Sequence, residues 1–366
     1  MKIPVCEPEI SEVDVEYVSE CVRSTWISGI SPIVKRFEHR FANFCDSKYG
    51  IAVNSGTSAL HTALATIRVG KGDEVIIPTF TMIATPNSVA YTGAIPVLVD
   101  SELDTWNIDV SKIEEKITTR TKAIIPVHTY GHPVDMDPLM KLARKHNLYV
   151  IEDAAEAHGA VYKDRRIGSI GDLACFSFYA NKIITTGEGG MITTNDEQLA
   201  ERAAWLRAHA FGRGEKHFYH EELGFGYRIS GLQAALGLAQ MERIDTFVMN
   251  RIKRAETYNN RLSHLGDCIV LPPKASWAKN VYWMYSILLK DDFPISREEL
   301  MNELEKRGIE TRTFFYPVHV QPIYKDEDTY PVADELSRRG INLPSGNALT
   351  MDDINFVCDA IIELAG

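Results

Sequence analysis

Residues 50–100 read GIAVNSGTSALHTALATIRVGKGDEVIIPTFTMIATPNSVAYTGAIPVLVD. Three short runs, GIAVN, EVIIP and IPVLVD, alternate with two longer segments of helical spacing, SALHTALATI and MIATPNSVAY. Strand, helix, strand at this interval makes βαβ units, which build a mostly parallel sheet covered on both faces. The rhythm continues: VSKIEEKI predicts a helix, KAIIPVH a strand, MDPLMKLARKHN a helix, and LYVIED and ACFSFY two further strands. An open α/β sheet takes its ligands beyond the carboxyl ends of the strands. Chemistry is therefore sought at Asn54 to Ser58, Thr79 to Met82, Asp153, and Ser177 to Lys182.

Upstream of this core, Ser11 to Arg23 fits one amphipathic helix. Downstream, a helical stretch from Ile229 to Arg254 gives way to a different pattern. Strands CIVL and VYWMYSILL, a helix opened by the capping box Ser296-x-x-Glu299, and a last helix entered at Thr350 predict a smaller α+β unit. The division falls near residue 246, inside a helix, giving a large unit of residues 1–245 and a small one of 246–366. Two units also suit 366 residues at about 150 per domain.

Composition narrows the function classes. With 45% hydrophobic and 24% charged residues the chain is ordinary globular protein, and its net charge of −11 repels a phosphate backbone, so no nucleic acid is expected as partner. The six cysteines contain no Cys-x-x-Cys pair, which leaves reduced thiols of a cytoplasmic protein and no metal site. The first residues, MKIPVCEPEISEVDVE, carry acids and prolines where a signal peptide needs an apolar stretch. Val75 to Val99 is long and uncharged enough to span a bilayer, yet Pro78, Pro86, Pro96 and Gly93 break it into strand, helix and strand, so no membrane is expected as partner. His217 and His220 stand three apart with no further ligand cluster, and Tyr282, Trp283 and Tyr285 read as core of the small unit.

No G-x-G-x-x-G follows a strand and no G-x-x-x-x-G-K-[ST] occurs, which removes the common nucleotide folds. Asn54-Ser55-Gly56-Thr57-Ser58 ends a strand and opens a helix, where free N–H groups, the positive helix end and hydroxyls suit a phosphate; alone, the stretch reads equally as a helix cap. Asp153 closes the apolar run of LYVIED, where a carboxylate needs either a cationic partner or a capping role. Lys182 precedes the turn TTGEGG, and its amine there could form a Schiff base. Phosphate cradle, acid and lysine, in that order at strand ends, are the contacts pyridoxal 5'-phosphate needs.

With these segments in hand, the chain resembles the DegT/DnrJ/StrS group of sugar-nucleotide aminotransferases over essentially its whole length. The resemblance rests on NSGTSAL, GDEVIIPTFT, GAIPVLVD, IEDAAEAHGA, SFYANKIITTGEGGM, GYRISGLQAALGLAQ and RTFFYPVHVQPIY. It implies an α/β fold of type I for pyridoxal-phosphate-dependent enzymes, with a large, mostly parallel unit and a smaller α+β C-terminal one. It further implies that Lys182 holds the cofactor and moves protons as the catalytic residue. Asp153 would pair with the pyridine nitrogen, and Glu156 would lie on the phenolic-oxygen side. Thr57, Ser58 and Ser177 would bind the phosphate, with Gly56 and Met82 also at the cofactor. Trp26, Ser28, Arg228, Tyr316 and His319 are the implied substrate contacts.

Members are homodimers whose active sites are shared, which makes His217 to Arg228 a candidate for reaching across. Two departures stand out: Met82 replaces a usual stacking aromatic, and Gly226 an asparagine often aimed at the partner's phosphate. The substrates implied are L-glutamate and a nucleotide-linked keto sugar. Members that aminate C3 typically carry Asn-Leu-Gly after the lysine, whereas here Ile183-Ile184-Thr185 follows, as in C4-aminating members. Thr25 to Ser28 and Arg339 to Ser345 are similar to members acting on GDP-4-keto-6-deoxymannose; UDP- or dTDP-linked sugars are the alternative. A non-catalytic, cofactor-binding regulator is the competing class. Relatives that dehydrate at C3 instead carry histidine at the lysine position.

Overall fold

The computed structural model describes residues 2–212 and 218–366. Seven strands form the central sheet: β1 (Tyr49–Val53), β2 (Glu74–Pro78), β3 (Ile95–Val99), β4 (Thr121–Ile124), β5 (Tyr149–Asp153), β6 (Leu173–Ser177) and β7 (Gly190–Thr194). Their order across the sheet is β1, β7, β6, β5, β4, β2, β3. From β3 to β6 every pairing is parallel, and β7 runs antiparallel to both β6 and β1. β2, β6 and β7 are buried at every position, as a sheet covered on both faces requires.

Local chemistry sets the elements that surround the sheet. Ser11 opens the helix Glu12–Arg23 with a capping box, and the boxes at Ser296 and Thr350 open Arg297–Lys306 and Met351–Ala365 as the sequence predicts. VSKIEEKI differs from its expected helix. It makes two short 3-10 turns, Val110–Lys112 and Glu114–Lys116, with the Asp109 carboxylate accepting the Ser111 N–H at 3.0 Å. Val110 and Ile113 stand three apart, the repeat of that tighter helix, so both can face the core without an α-helical stripe.

Ile229 to Arg254 also differs from one continuous helix. Gly231–Met241 ends at Glu242, and Ile244–Leu262 begins anew after Arg243. The second helix contributes Phe247 and Val248 to the large core and Ala255, Tyr258 and Leu262 to a second core. Ile3, near the start of the chain, packs in that second core and bridges Ile309.

The smaller sheet has strands β8 (Ile269–Val270), β9 (Tyr285–Leu289), β10 (Arg312–Thr313) and β11 (Gly340–Leu343), in the order β8, β9, β11, β10, all antiparallel. CIVL thus shortens to two residues, and VYWMYSILL becomes strand only from Tyr285. Tyr282, at φ 48°, turns the chain through the left-handed region just before it. Among the described residues no helix is long and apolar enough to cross a membrane.

Candidate active site

Beyond the carboxyl ends of β5 and β6, facing the small sheet, lies a cavity of about 370 Å³. The four strand-end segments singled out in the sequence all reach its wall, through Gly56 and Thr57, Met82, Asp153, and Ser177 and Lys182. The sheet's own geometry explains this, because parallel strands end on one edge and their following turns converge there.

Lys182 Nζ lies 3.6 Å from Glu156 Oε1 and 3.5 Å from the centroid of the Trp283 ring. Burial lowers the affinity of this amine for its proton, and the Glu156 and Asp153 carboxylates oppose that loss. Glu156 is pushed up to about 7 by burial, against the pull of Lys182 and of the Tyr130 N–H, which donates to Oε2 at 2.8 Å. An acid and a base of this kind, both displaced toward neutrality inside a cleft, are the groups that exchange protons at physiological pH.

Asp153 is buried at the end of β5, and burial raises its carboxyl above the ordinary range. Two donors counter this: Thr85 Oγ1 gives a hydrogen bond to Oδ2 at 2.7 Å, and the Ala155 N–H one to Oδ1 at 3.2 Å. The Thr81 and Thr85 hydroxyls lie 3.2 Å apart, so Thr85 is itself held.

The opening of the helix Gly56–Thr66 supplies the third part. Ser55 caps it, accepting the Ser58 N–H at 3.1 Å, so the capping reading of that stretch holds, and Ser55, Gly56 and Thr57 line the cavity. Ser58 differs from its expected place. It is buried behind the wall, its hydroxyl donating to Asn54 Oδ1 at 2.5 Å, and Ser55 stands at the cavity instead. A Cβ on Gly56 would come within 2.8 Å of Ser177 Cβ, and one on Gly190 within 2.4 Å of Ser55 O. Only glycines let the helix opening approach the ends of β6 and β7 so closely, which leaves a cradle at a positive helix end.

The expected substrate contacts are not brought to this cavity by their own chain. His319 is buried, 2.7 Å from Thr79 Oγ1 and 3.0 Å from Asp334 Oδ1, so its ring is engaged in the fold. Tyr316 is 62% and Trp26 53% exposed, and neither lines the cavity. Ser28 and Arg228 border a separate surface hollow with His209 and Gly226. There the His209 ring takes the space beside Gly226: a Cβ at that glycine would lie 2.9 Å from His209 Cε1. Met82 does line the cavity, half-exposed.

Trp283, read from sequence as core alone, both packs in the core and forms part of the wall. Thr85, which donates to Asp153, and the wall residues Tyr130, Arg312 and Asn342 also escaped the sequence reading; the last two come from β10 and β11, far from the motifs in the chain. His217 lies outside the described residues. Among those described, no group of three or more potential metal ligands occurs.

A buried lysine, an acid closing the central strand and a helix-end cradle, grouped beyond a mostly parallel sheet, define a fold-type I pyridoxal phosphate enzyme. The comparisons agree. The DegT/DnrJ/EryC1/StrS aminotransferase family matches residues 8–362. The GDP-perosamine synthase of Caulobacter vibrioides is 45% identical over 99% of this chain and 98% of its own length. DesV of S. venezuelae, solved by crystallography, superimposes with a TM-score of 0.90 at 37% identity, covering 97% of this chain and 94% of DesV. Spr1654 of Streptococcus pneumoniae, solved in a PMP form, gives a TM-score of 0.94 at 27% identity over 100% of this chain and 98% of its own. The chain belongs to the DegT/DnrJ/EryC1/StrS aminotransferases, enzymes that work with pyridoxal phosphate.

Replacing Thr85 by Val keeps its shape and removes the donor that favours ionised Asp153, so that carboxyl should take up its proton at higher pH. The acid limb of the kcat/KM profile is expected to move upward and the neutral rate to fall about tenfold or more, while Thr85→Ser keeps the parent profile. An acid limb that does not move in Thr85→Val would show that Thr85 does not sustain the charge.

Proposed function

We propose that this enzyme transfers the amino group of L-glutamate to C4 of GDP-4-keto-6-deoxymannose, giving GDP-perosamine. The reading is carried by the Lys182 amine, held 3.6 Å from Glu156 in a cavity that Asp153 also lines. Its substrate half is supported by the likeness to the Caulobacter vibrioides GDP-perosamine synthase. It is also supported by Ile183-Ile184-Thr185 after the lysine, where C3-aminating members carry Asn-Leu-Gly.

Pyridoxal phosphate, when bound, supplies a ring that draws off the electrons left when a carbon beside nitrogen loses its proton. Gly56, Thr57 and Ser177 would hold its phosphate at the helix opening. Asp153, whose charged form Thr85 favours, would pair with the pyridine N–H, and Glu156 would face the ring's phenolic side. Lys182 Nζ would hold the cofactor at rest. When free, its amine would serve as the base that moves a proton from one carbon to another. Burial suits the task, since an amine of lowered proton affinity has a larger share in its basic form at neutral pH. The aromatic and aliphatic wall, with Leu60, Tyr130, Trp283 and Phe315, keeps water from competing.

The donor and acceptor would use the cavity in turn, glutamate first and the keto sugar second. Incubation with 15N-glutamate and a panel of keto-sugar nucleotides, followed by NMR, is expected to place nitrogen on C4 of the GDP-linked sugar. Amination at C3 would overturn the assignment, and preference for a UDP or dTDP sugar its nucleotide half.

We further propose a cytoplasmic homodimer with shared sites. Six free thiols support the reducing compartment, and the exposed Trp26, Ile27 and Ile30 beside the hollow of Ser28 and Arg228 support a covered face. Substrate contacts that miss their own cavity are also what a shared site requires. Sedimentation should give twice the 41.1 kDa chain mass, and a fully active monomer would refute this arrangement.

A further inference from the structure

Trp283 follows the left-handed turn at Tyr282, and its side chain is almost wholly buried, 5% exposed. The Lys182 Nζ sits 3.5 Å from the ring centroid, well inside the range of a cation–π contact. The ring is tied to the segment it faces: its Nε1–H donates to Asn181 O at 2.9 Å, and the Cys6 thiol donates to the same carbonyl at 3.0 Å. On the other side of the lysine, Asn347 Nδ2 donates to Ile183 O at 2.9 Å. Arg251 Nη1 donates to Trp283 O at 2.6 Å, so the backbone of the tryptophan is fixed too. The carbonyls flanking Lys182 and the ring beneath its amine therefore form one rigid assembly.

We propose that the Trp283 indole face is the seat of the Lys182 ammonium whenever that amine is not bonded to the cofactor, which makes Trp283 a positioning residue. The inference rests on the reading of Lys182 as the cofactor lysine. In the proposed reaction the Lys182 amine, when not holding the cofactor, would have to stay within reach of the carbon whose proton it moves. A four-carbon stem gives that amine many rotamers. The indole face, its centroid 3.5 Å from Nζ, and Glu156 Oε1, 3.6 Å from it, reduce them to a small set near the site.

The groups around the amine act in opposing directions. Burial disfavours the ammonium, and Glu156, Asp153 and Cys6 favour it. His158, buried and pushed down to about 3 by burial, is neutral, and Arg312 lines the same cavity. The indole face acts with the carboxylates, because its quadrupole attracts the charged form alone.

The test uses the full chain freed of cofactor. Trace acylation with acetic anhydride across pH, read on the Lys182 peptide by mass spectrometry against an exposed reference lysine, gives the midpoint at which the amine loses its proton. In Trp283→Leu the midpoint should fall by about 0.4 to 1.5 pH, and Trp283→Phe should fall less because its ring keeps a weaker face. If the tryptophan serves only to fill space, its loss admits water and the midpoint rises; a raised or unchanged midpoint in either variant overturns the proposal. Should Trp283→Leu fail to fold, the sign of the change in Trp283→Phe decides. The measurement needs no cofactor, so attachment of the cofactor to another lysine would fail the functional reading separately.

Discussion

A lysine amine and two carboxylates share one buried space at the end of β5, and the rest of the molecule is arranged to make that possible. Each of the three groups would neutralise itself if buried alone. Burial pushes Glu156 up to about 7, raises Asp153 and lowers Lys182; the lysine and the two carboxylates hold each other toward their charged forms, while Asp153 adds to the push on Glu156. Such groups titrate as a set, so a change at one is felt at all three. The neutral donors around them, Thr85, Tyr130 N–H and Ala155 N–H, determine which members keep their charge.

The two-residue alternation of a strand explains how β5 presents this chemistry without exposing its own polar side. Asp153 faces the cavity, and its neighbour Glu152 points the other way into the large unit. There Glu152 accepts N–H groups from Ile170 at 2.9 Å and Gly171 at 2.8 Å, and lies 3.2 Å from His128 Nε2. Because His128 Nδ1 accepts the Val134 N–H at 3.0 Å, Nε2 carries the ring proton and faces the carboxylate. The opposite wall comes from the small sheet through Arg312 and Asn342. Arg251, buried on the helix that joins both cores, donates to Asn347 Oδ1 at 2.9 Å, and Asn347 in turn donates to Ile183 O beside the lysine.

Much of this was legible in the sequence because parallel strands and their following turns obey local rules. The alternation in residues 50–100 places β1 to β3 and the helices between them, and the turns after β1 and β2 reach the cavity through Gly56, Thr57 and Met82. What local pattern could not convey were contacts set by long-range packing. Ser58 and Ser55 exchange places because a cap geometry decides which hydroxyl turns inward. Trp283 looks like strand core until the positive φ of Tyr282 is known, and a tyrosine carries no signal for that conformation. Ile3 reaches the second core across more than three hundred residues, which no periodicity reveals. Tyr316, His319, Trp26, Ser28 and Arg228 carry no local signal of a site beyond the family likeness, and within one chain they stand outside the cavity.

The chemistry assigned to Lys182 is most directly tested by borohydride reduction of the cofactor-loaded enzyme followed by peptide mapping. Reduction makes the bond between cofactor and lysine permanent, so the attached residue can be read from fragment masses. The reduced cofactor is expected on the peptide containing Asn181 to Glu188, at Lys182. Attachment at any other lysine, or no attachment to protein at all, would contradict the assignment.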